Sequence, residues 1–317
     1  MDVARAGWGA AEVTAPSGLT VGRPGRRTSP VRPSPLRRHL GSAPYVGPAW
    51  IIVTATGIIP LGYGIWMSLT DQSIGAASER FIGLENYVTA VFTKSFVDSL
   101  MVTMLFVVCG IVIQFVIAYL LASLLHLQMR GFQVFRTILL VPMMLTPIVV
   151  GLIFRFMFTP SIGVLYFALR DIGLEIPWFT DTLWARVFII MLDSWLTIPL
   201  LMLLLLAGMA GVSEESLEAA QLDGAGWWAR TRYVVLPQLT PVITVALLIR
   251  IVDAVRMFDQ VFATTRGGPG TSTMTVSILA YNQTFGYFAF GPGAAIAVAL
   301  TVVMFPVYFF YLRMTKV

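Results

Sequence analysis

Charged residues are scarce in this chain of 317 residues, of which only 12% are Asp, Glu, Lys or Arg. Soluble domains carry about 25% charged residues, whereas 57% of this sequence is hydrophobic and its mean hydropathy is +0.81. The composition therefore excludes an ordinary soluble protein. It predicts an integral membrane protein that crosses the bilayer several times.

Residues that carry chemistry are also few. The single cysteine, Cys109, lies in an apolar run, so we expect a buried side chain and no intrachain disulfide. Neither a metalloprotease motif nor a Gly-x-Ser-x-Gly elbow accompanies the two histidines, His39 and His126. The two lysines, Lys94 and Lys316, do not complete a Walker A motif, so the chain cannot supply its own ATPase. These absences argue against an enzyme and a metal centre.

The formal net charge of +5 comes from the N-terminal region, residues 1–44. This region is rich in Pro, Gly and Ser, and we interpret it as a disordered, basic, cytoplasmic tail without a cleavable leader. Six of its arginines lie close together: Arg23, Arg26, Arg27, Arg32, Arg37 and Arg38. Without them the protein is nearly neutral, so we expect no nucleic-acid partner.

Six apolar segments are long enough to cross a bilayer as helices, which predicts an all-α membrane protein. The predicted spans are about 46–69, 99–125, 132–158, 183–210, 242–263 and 293–312. Pro142 and Pro147 lie in the third span and should kink it. Counts of Lys and Arg beside the spans are twelve on one side and four on the other. The side with twelve includes the tail, so both termini are predicted to be cytoplasmic.

A polar interval, residues 212–241, separates the fourth span from the fifth. Ser213 is a suitable N-cap, and Glu214 and Glu215 place negative charge in the first helical turn. Gly224 is suited to a left-handed turn, and Pro237 precedes the next apolar run. We therefore predict two short helices joined by a glycine turn, a shape suited to docking on another protein.

This interval resembles the EAA loop of the membrane subunits of ABC importers. The resemblance lies in EAAQLDGAGWW, residues 218–228, and in LPQLTP, residues 236–241. Members of the family usually carry a proline just before the motif, where this chain has Val212-Ser213-Glu214. Three further segments, FIGLENY, RGFQVFRTILLVP and MFDQVFATTRGGPGT, are similar to the MalF-like carbohydrate-uptake branch. The resemblance covers about residues 45–315.

The resemblance implies the transmembrane domain of a type I ABC importer over residues 45–317, in a bacterial cytoplasmic membrane. Its partners would be a second, homologous permease, an ABC ATPase dimer and an extracytoplasmic solute-binding protein or lipoprotein, besides membrane lipid and a carbohydrate. ATP and Mg would be bound by the ATPase, and this chain would hold no cofactor. The implied coupling residues are Glu218, Ala219, Ala220, Asp223, Gly224, Ala225, Leu236 and Pro237.

Charged residues inside the fourth and fifth predicted spans must face protein or water, because an ionised group in lipid costs several kcal/mol. One interpretation is that Arg250–Asp253 and Arg256–Asp259 neutralise each other and hold the helices together. The other is that these groups line a polar cavity for a hydroxylated solute. The candidate pathway residues are Asp193, Trp195, Thr197, Arg250, Asp253, Arg256, Phe258 and Asp259.

We expect the solute to be a sugar, an oligosaccharide or a polyol, carried by alternating access driven by a partner's ATP hydrolysis. A glycerol-phosphate permease is the alternative within the family, although each arginine in the fifth span has an acidic neighbour. A stand-alone secondary transporter or channel is the alternative of another class. Such a protein would need an ion-coupling site and no docking loop.

Overall fold

The computed structural model describes residues 47–73, 80–127 and 132–314. The predicted tail, residues 1–44, lies outside these ranges, as do Arg130 and Lys316, two of the twelve basic residues counted on the predicted cytoplasmic side. The chain divides into Met1–Ala55 and Thr56–Val317. The described residues of the first unit are helical, and every contact discussed below lies within the second unit.

The described residues form helices, with isolated bridges but no β-strand. The helices are α1 Gly47–Ser68, α2 Lys94–His126, α3 Phe132–Leu140, α4 Pro147–Phe158, α5 Val164–Asp171, α6 Thr182–Met209, α7 Glu214–Leu222, α8 Trp227–Arg230, α9 Leu236–Val255, α10 Asp259–Thr264, α11 Val276–Tyr281 and α12 Phe290–Met314. A π-turn, Thr231–Val235, joins α8 to α9, so that Trp227–Val255 is one helix of 29 residues.

The spanning helices agree in part with the predicted spans. Within the described ranges, α1, α2, α6 and Trp227–Val255 are long and apolar enough to cross a membrane. The bent pair α3–α4 would make a fifth span, and the apolar part of α12, Phe290–Pro306, is shorter. The all-α fold is therefore confirmed. The count of six spans and the cytoplasmic termini stay predictions.

The third predicted span is broken at the expected prolines. Pro142 begins a short 3-10 turn and Pro147 occupies the first position of α4. The helical segments on the two sides, Val134–Met144 and Pro147–Phe158, are bent by 98°. A proline lacks the backbone N–H that would continue the helix, so the bend is confirmed and has a local cause.

The core lies between α2, α6 and α9. Ala118, Met202, Leu239 and Ala246 are fully buried there. Gly208 on α6 allows close approach, because a Cβ built on it would lie 2.7 Å from Leu239 Cδ2 on α9. Small residues at such positions let membrane helices pack closely without a hydrophobic driving force between them.

Cys109 is exposed, which corrects the expectation of a buried side chain. It lies on α2 between Phe106 and Gly110, which face the core, but on the side shared with the exposed Val108 and Val112. An apolar run does not distinguish the face that packs on protein from the face that meets lipid. The composition of α2 therefore left this side of the helix undetermined.

The FIGLENY segment is hydrogen-bonded to the end of α1, close to the start of α12. Asn86 is buried and donates hydrogen bonds to the backbone oxygens of Ser68, at 2.9 Å, and Thr70, at 2.7 Å. Gly291 at the start of α12 packs against the same place, since an added Cβ would lie 2.2 Å from the Thr70 oxygen. The segment thus has a structural role next to α12.

Candidate functional site

The two charged spans meet at a buried ion pair. The carboxylate of Asp193 on α6 accepts from the Arg250 guanidinium on α9, and both side chains are 2% exposed. Arg250 Nη1 also donates to Asp253 Oδ2 at 2.9 Å, and the Asp253 side chain is 68% exposed. The predicted Arg250–Asp253 pair is therefore present, and Asp193 is an additional partner from another helix.

Gln114 on α2 completes this cluster and was missed in the sequence. Its amide nitrogen donates to Asp193 Oδ2 at 2.8 Å, and its Oε1 accepts from Arg250 Nε at 2.7 Å. The side chain is fully buried. A glutamine in the middle of the second apolar run is the signal that could have found it, because buried amides need partners.

A cavity of about 480 Å³ lies beside the cluster. It is lined by residues of α6, by residues of the break between α3 and α4, and by residues of a second break between α9 and α10. The break between α3 and α4 contributes Met143, Leu145 and Pro147, and the break between α9 and α10 contributes Arg256, Met257 and Phe258. The remaining lining residues are Asp193, Leu196, Thr197, Leu200, Asp253, Asp259 and Gln260. Carboxylates, a guanidinium, an amide and a hydroxyl thus line the same cavity.

Six of the eight predicted pathway residues line this cavity: Asp193, Thr197, Asp253, Arg256, Phe258 and Asp259. The other two do not line it. Trp195 is 39% exposed and packs against Phe154, with ring centroids 5.3 Å apart. It lies two residues from Asp193, so the helical turn of about 100° per residue places it on the opposite face. Arg250 is buried behind the wall.

The helix that contains most of the predicted fifth span, residues 242–263, has different ends from that span. The helix begins at Trp227 and ends at Val255, and α10 begins after the non-helical residues Arg256–Phe258. Among the described residues, Arg256 and Asp259 form no ion pair; Arg256 lies in the break itself and Asp259 begins α10. Their expected mutual neutralisation is therefore not observed, and both face the cavity instead.

The loop between α6 and α9 begins as predicted. The Ser213 side chain accepts from the Ser216 backbone N–H at 3.2 Å, and α7 then runs from Glu214 to Leu222. Gly224 has φ +77°, the left-handed conformation expected of it. The second helix is not short, however, because Trp227 begins the helix that continues through Pro237 to the cavity. The loop is thus one short helix followed by one long one.

The surface of this loop is open and partly apolar. Leu222 is 90% exposed and Tyr233 is 73% exposed, and Trp228 also faces outward. Of the predicted coupling residues, Glu218, Ala219, Asp223, Gly224 and Pro237 are exposed, and Ala220, Ala225 and Leu236 are half-buried. Exposed apolar side chains of this size are typical of a surface that contacts another protein or the membrane.

Several known proteins are similar in sequence to this chain. The family model for the binding-protein-dependent transport system inner membrane component matches residues 114–316. The trehalose transport system permease protein SugA of Mycobacterium tuberculosis is 35% identical over 256 residues, covering 80% of this chain and 82% of that protein. The trehalose/maltose transport system permease protein MalF of Thermococcus litoralis is 31% identical over 270 residues, covering 85% and 91%.

This chain is also similar to a glycerol-phosphate transport protein and to a solved transporter structure. The sn-glycerol-3-phosphate transport system permease protein UgpA of Agrobacterium fabrum is 29% identical, covering 86% of this chain and 93% of that protein. A structure of the bacterial alginate ABC transporter, in complex with alginate pentasaccharide-bound periplasmic protein, matches with TM-score 0.75 and 20% identity. That match covers 89% of this chain and 96% of the other, and it shows the fold alone.

Proposed function

Because this chain belongs to the family of binding-protein-dependent transport system inner membrane components, we propose that it is one permease of an ATP-driven importer for neutral sugars or polyols. A second, similar permease would complete the membrane domain. An ATPase dimer would supply ATP hydrolysis with Mg, and an extracytoplasmic binding protein would deliver the solute. The membrane would be the bacterial cytoplasmic membrane.

The cavity between the two helix breaks is the observation that carries this proposal. Its wall offers acceptors on Asp253 and Asp259, a donor on Arg256, and groups of both kinds on Thr197 and Gln260. A solute with several hydroxyl groups can donate and accept at once, so such a wall suits it. Phe258 adds an aromatic surface for the C–H face of a sugar ring.

The charge of the wall favours a neutral solute over glycerol phosphate. Arg256 has no acidic partner among the described residues, which on its own would suit a phosphate. The wall and its buried cluster together contain three carboxylates, Asp193, Asp253 and Asp259, against Arg250 and Arg256. A phosphate dianion would therefore enter a site with an excess of negative charge, which disfavours it.

We propose that the exposed loop couples conformational changes of the ATPase to this cavity. Closure of the ATPase dimer would move α7 and the Trp227 end of the following helix. The same helix ends at Val255, next to cavity residues Asp253 and Arg256. Movement of the loop would thereby open the cavity to the outer side, and hydrolysis would restore the inward-facing state.

The test is uptake by the reconstituted complex of this permease, its partner permease, the ATPase and the binding protein. Radiolabelled trehalose, maltose and glycerol 3-phosphate would be offered separately, with ATP inside or absent. We expect ATP-dependent uptake of a neutral saccharide and none of the phosphate. Uptake of glycerol 3-phosphate alone would overturn the solute class, and uptake by this chain without the ATPase would overturn the importer assignment.

A further inference from the structure

Arg250 does not line the cavity, yet it holds polar groups that do. Its side chain is 2% exposed, and it is absent from the cavity wall. Asp193 and Asp253 both line the cavity, and both accept hydrogen bonds from Arg250. Arg250 therefore binds two polar residues of the cavity wall, although a solute in the cavity would not contact Arg250 itself.

Each nitrogen of this guanidinium has its own partner. Nε donates to Gln114 on α2 at 2.7 Å, Nη2 donates to Asp193 on α6, and Nη1 donates to Asp253 on α9 itself at 2.9 Å. The planar guanidinium fixes the angles between these directions. A lysine ammonium would keep the charge, but its single nitrogen cannot hold three groups in that plane.

Asp193, which Gln114 contacts, extends the arrangement to the far side of the break after Val255. The amide nitrogen of Gln114 donates to Asp193 Oδ2 at 2.8 Å and to Ser194 Oγ at 3.3 Å. With Oδ2 engaged in this way, Asp193 Oδ1 accepts from Gln260 Nε2 on α10 at 3.1 Å. Gln260 lines the cavity, so one chain of hydrogen bonds joins α2, α6, α9 and α10.

We propose that Arg250 and Gln114 are positioning residues for solute passage. They hold Asp193, Asp253 and Gln260 in one arrangement across the break after Val255, without touching the solute. This role rests on the proposed function, in which the cavity lies on the solute path. Positioning depends on the shapes of the Arg250 guanidinium and the Gln114 amide. A positive charge that only neutralises Asp193 would not be enough.

The test compares Arg250→Lys with the wild type in the reconstituted complex, using radiolabelled trehalose and its loaded binding protein. Trehalose imported per ATP hydrolysed should fall roughly ten-fold, because misplaced groups lose orientation, while the binding protein still stimulates ATP hydrolysis. Amide hydrogen exchange over residues 253–262 should rise in the same complex. Arg155→Lys, at an exposed arginine on α4, is the matched control and should behave as the wild type.

Gln114→Met gives a second variant that keeps the Asp193–Arg250 pair and removes the three hydrogen bonds of the amide, to Asp193, Ser194 and Arg250. We expect it to lower the import ratio and raise exchange over the same residues, and it decides the question if Arg250→Lys does not assemble. A wild-type import ratio and wild-type exchange in whichever variants assemble would overturn the proposal. So would loss of assembly or of basal ATP hydrolysis in both variants, which would indicate a structural role only.

The hydrogen-exchange measurement separates this proposal from the proposed function. If the wild-type complex imports no neutral sugar or polyol, the proposed function fails. Exchange over residues 253–262 then still shows whether Arg250 and Gln114 fix the wall, since it requires no transport. Unchanged exchange in Arg250→Lys would overturn the positioning role in that case as well.

Discussion

At the scale of single residues, Gly224 is constrained by its backbone alone. It has φ +77°, and a Cβ built on it would meet nothing within 4 Å. Any cost of a side chain there comes from the left-handed conformation, about 1–2 kcal/mol, and not from packing. The position therefore separates the shape of the loop from the stability of the membrane domain.

We predict that Gly224→Val abolishes uptake and the stimulation of ATP hydrolysis by the loaded binding protein, while the two permeases stay associated. The strained turn would shift α7 relative to Trp227. Uptake and ATPase assays on the reconstituted complex measure this. Gly226→Val is the matched control, because Gly226 has φ −66° and equally open surroundings. Wild-type uptake in Gly224→Val would show that the turn does not matter for coupling.

We predict that Asp193→Asn destabilises the assembled complex. Removal of the charge leaves the buried Arg250 with Asp253 as its remaining acidic partner, and breaking a buried pair costs up to about 3–5 kcal/mol. Thermal unfolding of the purified complex measures the change. Asp259→Asn, in the same cavity but without an ion pair among the described residues, should change stability by less than about 0.5 kcal/mol. Equal unfolding temperatures for the two variants would contradict the prediction.

At the scale of elements, Asn86 joins the end of α1 to the segment before α2. We predict that Asn86→Ala lowers stability by about 1–3 kcal/mol, because it leaves the Ser68 and Thr70 oxygens without this donor in a buried place. Thermal unfolding of the complex is the measurement. Glu85→Ala, at the exposed neighbouring side chain, is the control and should be neutral. Comparable losses in both variants would refute a specific role for the amide.

The sequence predicted those boundaries that local side chains determine. Ser213 and Gly224 mark the start of α7 and the turn after it, and Pro142 and Pro147 mark the bend in the third span. It did not predict the break after Val255, where neither glycine nor proline interrupts the run. Helical continuity across Pro237 was also missed; Pro237 lies in the first turn of α9, directly after the π-turn Thr231–Val235.

The candidate site was predicted as a set of residues but not as an arrangement. Asp193 and Arg250 were each identified by their charge, whereas their pairing depends on how α6 and α9 are rotated about their axes. Gln114 comes from a third helix, 79 residues before Asp193. The exclusion of Trp195 from the cavity, by contrast, follows from helical spacing alone and could have been predicted.

At the scale of the whole molecule, the basic tail is predicted to be dispensable for transport. Its composition cannot bury a core, and its arginines would act on topology and on anionic lipid. Deletion of residues 2–35 should leave uptake within a few-fold of the wild type at equal membrane levels. Uptake by whole cells and a membrane immunoblot measure both quantities. Lost uptake at normal membrane levels would reveal a specific function of the tail.

The helix Trp227–Val255 gives the molecule the mechanics of a lever. At about 1.5 Å per residue, its 29 residues extend roughly 43 Å, from the exposed loop to the cavity. A tilt of about 5° around one end displaces the other end by about 4 Å, more than the length of a hydrogen bond. A slight angular error at the loop is therefore enlarged at the cavity, where a displacement of this size would break the hydrogen bonds between the helices.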